Sequence, residues 1–153
     1  MVEIRNGWRE DIPVCAELAA SLGDPRRGQG FIEAAVDRRQ LLVAADNGRV
    51  VGFLVYRTDW FNCTFVTLVG VTPDRSPNEV VQALYRAVEA ESPGPRLFSS
   101  VEETDAASIR LHSALGFTPS GYIDNLPQGY RELIFFKRLA VASAVSRGEP
   151  SHV

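Results

Sequence analysis

His112 is the histidine whose surroundings could give it chemistry, since the other, His152, stands among the last residues. Its imidazole, with a reference pKa of about 6.5, takes or gives a proton readily near neutrality. It closes the stretch Asp105-Ala106-Ala107-Ser108-Ile109-Arg110-Leu111-His112, where helical spacing sets Asp105, Ser108 and His112 one turn apart on a shared face. Two readings stay open: a proton-transfer group, or a half-buried helix residue bonded to a local carbonyl. A Ser-His-Asp hydrolase triad is disfavoured, because i, i+4 side chains on one helix rarely give the nucleophile its geometry.

The carboxylates Asp59, Glu102 and Glu103 are candidates for a general base, each weighed against a solvated loop charge. Tyr56, Trp60, Thr67 and Tyr130 are candidates for a pocket wall, weighed against packing at strand ends. Arg26-Arg27-Gly28-Gln29-Gly30 has the look of a phosphate loop, but it follows a helix rather than a strand, so a plain connecting loop is the simpler reading. Lys137 is the sole lysine and is not preceded by glycines, which excludes a phosphate-loop NTPase. Cys15 and Cys63 are isolated, so no metal site is expected.

With 153 residues, 45% hydrophobic and 23% charged, the chain is expected to form one globular domain. Its formal charge of −3 leaves no basic excess for nucleic acid or anionic membrane. The N-terminal residues lack the apolar core of a signal peptide, and no apolar run is of membrane-spanning length, so a reduced cytoplasmic setting is expected.

Apolar periodicity predicts strands at 2–6, 41–45, 50–57, 64–71, 97–101, 117–123 and 132–139, with Asn47-Gly48 favouring a type I′ hairpin. Helices are predicted from an Asp11 N-cap to Leu22 with Val14, Leu18 and Leu22 inward, and in a short segment about Phe31–Val36. Two more follow at 78–91, with Val80, Val81, Leu84, Tyr85 and Val88 buried, and at 105–115, with Ala107, Leu111, Ala114 and Leu115 buried. Residues 140–153 are expected to be a disordered tail after a domain spanning 1–139. The order β-α-α-β-β-β-α-β-α-β-β implies an α/β class with a mixed sheet and helices on its faces.

Four stretches in this order resemble the GNAT superfamily of N-acetyltransferases. They are Glu3-Ile4-Arg5 with Glu10-Asp11-Ile12-Pro13, Asn47-Gly48-Arg49-Val50-Val51-Gly52-Phe53, Val69-Gly70-Val71-Thr72-Pro73, and Asp105-x-x-Ser108-x-x-Leu111-His112-x-x-x-Gly116-Phe117 with Ser120-Gly121-Tyr122. The resemblance implies a mostly antiparallel sheet splayed between the fourth and fifth strands, with acetyl-CoA or another acyl-CoA in the gap. It implies direct acyl transfer to the amine of a small molecule, peptide or protein, by a monomer or homodimer needing no metal. Val69, Gly70 and Val71 would then bond the pantetheine, and Arg75, Ser76, Asn78, Glu79 and Val81 would hold the pyrophosphate. Asp105 and Ser108 would flank the cofactor. His112, where many members carry tyrosine, would protonate the departing thiolate, with Glu103 or Asp59 as base.

One stretch departs from the family. The glycines of the pyrophosphate loop are absent from Ser76-Pro77-Asn78-Glu79-Val80-Val81, and Ser76 with Glu79 reads as a capping box that would occupy the helix's free N–H groups. The alternative expectation is therefore a protein of this fold without ordinary CoA binding, with other chemistry in the cleft or a binding or regulatory role.

Overall fold

The computed structural model describes residues 1–22 and 27–140. The expected tail, from 141 onward, and residues 23–26 of the first interhelical loop lie outside the described residues. Seven strands, β1 (Glu3–Asn6), β2 (Leu41–Asp46), β3 (Arg49–Trp60), β4 (Cys63–Val71), β5 (Arg96–Glu102), β6 (Thr118–Ile123) and β7 (Glu132–Arg138), form one sheet in the order β1-β2-β3-β4-β5-β7-β6. The helices are α1 (Ile12–Ser21), α2 (Gln29–Asp37), α3 (Pro77–Glu91) and α4 (Ala106–Ala114). All neighbouring strands are antiparallel except β4 and β5.

Strand alternation splits β3 between two apolar layers. Phe53 and Val55 pack with Cys15, Ile32 and Val43 under α1 and α2, while Leu54 and Tyr56 pack with Val80, Leu84 and Leu97 under α3. Each such Leu, Val or Phe contributes roughly 1.5–3 kcal/mol by leaving water. The left-handed φ angles of Asn47 and Gly48 give the expected β2–β3 turn.

Three expectations are corrected. β3 runs on to Trp60, so Asp59 and Trp60 belong to a strand; a second tight turn at Phe61-Asn62, both at positive φ, follows. Asp11 does not cap α1 with its side chain; it is 5% exposed and binds Arg5 through two bonds of 2.8 and 3.0 Å, while accepting from the Trp8 N–H at 2.7 Å. Burial pushes this carboxyl up, but those bonds hold it below the usual carboxylate range. With Asp11 turned back toward β1, the inner face of α1 carries Ile12, Cys15, Leu18 and Ala19, and Val14 and Leu22 are exposed. In α4 the inward residue is His112, whereas Ala107 and Ala114 are exposed.

The sheet opens at Thr67. Val66 lies opposite Tyr56 and Leu68 opposite Val55, so Thr67 is one residue extra in β4, a β-bulge that bends the strand. Its hydroxyl bonds the Val55 carbonyl at 3.1 Å, and its own carbonyl accepts from Arg27 Nη1. The parallel ladder between β4 and β5 covers only Thr64–Val66 and Leu97–Ser99. Beyond the bulge no described strand pairs with that edge of β4.

Gly70, on the free stretch, has no room for a side chain: a Cβ there would sit 2.6 Å from a Phe53 ring carbon and 3.3 Å from Leu18. Phe53 is fully buried and has nowhere to retreat. Gly70→Ala is therefore expected to destabilise the protein by about 1–3 kcal/mol through overpacking, read from urea unfolding. Unchanged stability would mean that β4 itself yields.

Candidate active site

A cavity of about 830 Å³ occupies the opening between β4 and β5. The β5 strand reaches it from both sides. Its Leu97, Ser99 and Val101 point toward α3 and α4, and Ser100 and Glu102 point to the opposite face. Ser99 is the last β5 residue still paired with β4, so its side chain stands where the opening begins.

Three buried polar side chains meet there. Tyr85 of α3 is 2% exposed, Ser99 1% and His112 of α4 5%. The Ser99 hydroxyl lies 2.8 Å from His112 Nε2 and 2.8 Å from the Tyr85 hydroxyl, which is itself 3.4 Å from Nε2. The other ring nitrogen, Nδ1, is 2.8 Å from the carbonyl of Ser108. All three side chains line the cavity.

A carbonyl can only accept, so His112 Nδ1 carries hydrogen, and Nε2 of the neutral ring is the acceptor. Ser99 therefore donates to Nε2, and Tyr85 donates to Ser99. Burial pulls the imidazole below its ordinary pKa, against the opposing pull of the Ser108 carbonyl and of Asp105. Burial pushes the Tyr85 phenol up to about 12, so it keeps its proton. The site is a neutral, hydrogen-bonded chain with one proton-accepting nitrogen.

Of the residues singled out from sequence, Arg27, Thr67, Val69, Glu102, Asp105, Ser108, His112 and Tyr130 line this cavity. Asp105 and Ser108 do not extend the imidazole chain: Asp105 caps α4, accepting from the Ser108 N–H at 3.1 Å and its hydroxyl at 2.8 Å. Gly70 and Val71 continue along the free β4 edge. Asp59 is paired with Arg57 at 2.6 Å and Glu103 with Arg131 at 3.7 Å, both outside the cavity lining. Tyr56 is buried under α3, and Trp60 stacks on Phe65 with ring centres 4.7 Å apart. Lys137 is tied to Glu89 at 2.7 Å.

The start of α3 differs from expectation. Ser76 is in the N-cap position, but its side chain makes no capping bond, and no reciprocal bond from Glu79 forms. Glu79 is exposed. Side chains therefore leave the first-turn N–H groups open. Arg75 is ion-paired with Asp46, which holds that carboxyl below its usual range, and Val81 lies in the core.

Sequence reasoning missed Tyr85 and Ser99 as functional candidates. Both signals were present: a serine between inward Leu97 and Val101, and a phenol within an apolar helix stripe, each needing a partner once buried. Glu132 was missed too. It lies opposite Glu102 in the β5–β7 register, accepts from Ser100 Oγ at 2.8 Å, and lines the cavity with Glu102 and Arg27. Among the described residues, no His, Cys, Asp and Glu side chains gather as a metal would require, and no helix is long and apolar enough to cross a membrane.

The sequence model of the acetyltransferase (GNAT) family matches residues 6–117. No curated protein matches the chain. Among solved structures, a GNAT-family acetyltransferase from Bacillus cereus is 26% identical, covers 92% of this chain and 99% of its own, and superposes with a TM-score of 0.83. The ribosomal-protein-S18-alanine N-acetyltransferase of Escherichia coli shares the fold at 19% identity and a TM-score of 0.79, with all of both chains covered. So does yncA of Salmonella typhimurium, solved with its cofactor acetyl-CoA, at 22% identity and a TM-score of 0.74 over 92% of this chain and 95% of its own.

The lowered imidazole pKa has a consequence for folding. Between the native value and about 6.5 the unfolded chain binds the His112 proton and the native state does not, so stability rises with pH. The His112 contribution is thus whole above about pH 6.5 and declines as pH falls toward the native value. His112→Gln is expected to show a shallower loss of thermal stability from about pH 7 to pH 5. Parallel curves for the two proteins would count against a neutral buried imidazole.

Proposed function

Because the chain belongs to the acetyltransferase (GNAT) family, we propose that it transfers an acetyl group from acetyl-CoA to the amine of a small molecule, peptide or protein. The observation that carries this reading is the opening between β4 and β5 at Thr67, with the free β4 edge on one wall and His112 on the other. A strand edge with unpaired amides suits a peptide-like chain, as in β-strand addition. Val69, Gly70 and Val71 would accordingly hold the pantetheine amides. The open N–H groups of the first turn of α3, from Asn78 onward, suit a pyrophosphate at a helix N-terminus, with no glycine required for them to be exposed.

Bound acetyl-CoA supplies an activated acyl carbon and a sulfur leaving group. His112 serves the proton transfers through Nε2, the ring nitrogen that faces the cavity network. Glu102 and Glu132, which line the same cavity from across β5, would draw a cationic acceptor into it, in preference to Asp59 and Glu103, which are engaged by arginines elsewhere. Arg27 and Tyr130 complete that wall.

A second reading, in which the fold has lost ordinary CoA binding, rests on Pro77 and Glu79 at the start of α3. Thermal-shift titration with acetyl-CoA separates the two. Saturation at about 100 times Kd stabilises by about 2.7 kcal/mol, a rise of roughly 5–10 °C for this size. No shift at millimolar ligand would remove the acetyltransferase reading. Where binding is present, His112→Phe is expected to lower kcat by about 10²–10⁴-fold while the acetyl-CoA shift persists. Undiminished turnover would take His112 out of the mechanism.

A further inference from the structure

We propose that Ser99 is a catalytic residue of the transfer, relaying the acceptor's proton to His112 Nε2 and later returning one to the departing sulfur, with Tyr85 as the positioning residue that holds it. This rests on the acetyltransferase reading above.

The assignment follows from one backbone carbonyl. Because Ser108 O fixes hydrogen on Nδ1, the free lone pair of the ring is at Nε2, and Ser99 Oγ stands 2.8 Å in front of it. Nε2 also has the Tyr85 hydroxyl at 3.4 Å, and the imidazole ring centre lies 5.1 Å from the centres of both the Phe117 and Phe135 rings. Ser99 Oγ is thus the hydroxyl nearest the free lone pair of the ring, and it lines the cavity.

Ser99 Oγ has one hydrogen, given to Nε2, and two lone pairs, of which Tyr85 uses one. The other is available to the cavity. An acceptor N–H can pass its proton to Oγ as the hydroxyl's own proton moves to Nε2, leaving an imidazolium and an intact serine. The hydroxyl now accepts from Nε2–H and still accepts from Tyr85, so its new hydrogen points into the cavity. When the carbon–sulfur bond breaks, that hydrogen goes to the sulfur while Nε2 returns its own to Oγ. The acceptor enters as an ammonium; one of its protons travels the relay to the sulfur and a second is lost to solvent as the amide forms, so one proton is released per turnover and Ser99 is never acylated.

Tyr85 donates in both halves and changes hands with nothing. The charges that could bias the imidazole are few. Asp105 is on its own helix; on β5 and β7, Glu102 and Glu132 line the same cavity, as do Arg27 and Tyr130; α3 contributes the Tyr85 phenol.

The test has an arm that needs no turnover. Nitrogen NMR of the ligand-free protein is expected to show neutral His112 as the Nδ1–H tautomer, and an Nε2–H tautomer would overturn the relay. In steady-state assays Ser99→Ala should lower kcat by about 10²–10⁴-fold at unchanged KM for acetyl-CoA. Tyr85→Phe should lower it about tenfold, with the acid limb of the kcat profile displaced. Wild-type kcat and pH profile in Ser99→Ala would overturn the proposal, as would acetylated Ser99 found by mass spectrometry after incubation with acetyl-CoA. Failure of the wild-type protein to bind acetyl-CoA would instead strike the acetyltransferase reading, leaving the tautomer measurement to judge the hydrogen-bonded chain by itself.

Discussion

The single extra residue at Thr67 is the constraint on which the site depends. A bulge adds local twist and bends the strand that carries it, and here it comes one residue beyond the last rung of the parallel ladder. With that rung gone, β4 stays bound to β3 along its whole length while β5 stays bound to β7. The sheet thus has two halves that meet at a vertex. The extra residue is not left unsatisfied: Val55 takes its hydroxyl and Arg27 its carbonyl. A half-buried polar strand residue without partners would carry a desolvation cost, and these bonds remove it at the opening.

Ser99 stands at that vertex, and this decides how chemistry is distributed across the strand. The inward alternation of β5 places a hydroxyl against α3 and α4, and the next residues turn carboxylate and hydroxyl to the other face. One strand thereby serves both walls of the cavity, the nonpolar side with the imidazole and the acidic side with Glu102 and Glu132. The imidazole is flanked by aromatic rings, and its burial favours the neutral form. The carboxylates lie at the open end.

Much of the fold was legible because the strands carry strong apolar alternation and the turns have distinct chemistry. Leu41–Ala45, Asn47-Gly48 and the Val80–Val88 stripe all read correctly for that reason. The face of α4 did not. Alanines at 107 and 114 score as inward by type, yet what turns the helix is the polar partner on a distant strand, and Ser99 cannot be paired with His112 from spacing alone. The bulge was equally hidden, since Cys63–Val71 is apolar or β-branched at nearly every position and a one-residue shift leaves no trace in such a run. Phe61 at positive φ gave no signal either, because tight turns are usually announced by glycine or asparagine at that place. At the start of α3 the spacing of Ser76 and Glu79 matched a capping box, but neither side chain turns back onto the helix backbone, and Arg75 pairs with Asp46 instead.

The two borders of the sheet also determine how copies of this protein can meet. β1 is only four residues long, and β6 carries Pro119, without an N–H to offer, beside a register shift between Pro119 and Tyr122. Neither border presents a long, regular row of donors and acceptors on which another chain's strand could grow. Crowded molecules are therefore denied these two borders as a path to a fibre, and contact across them must be made by side chains rather than by extending the ladder.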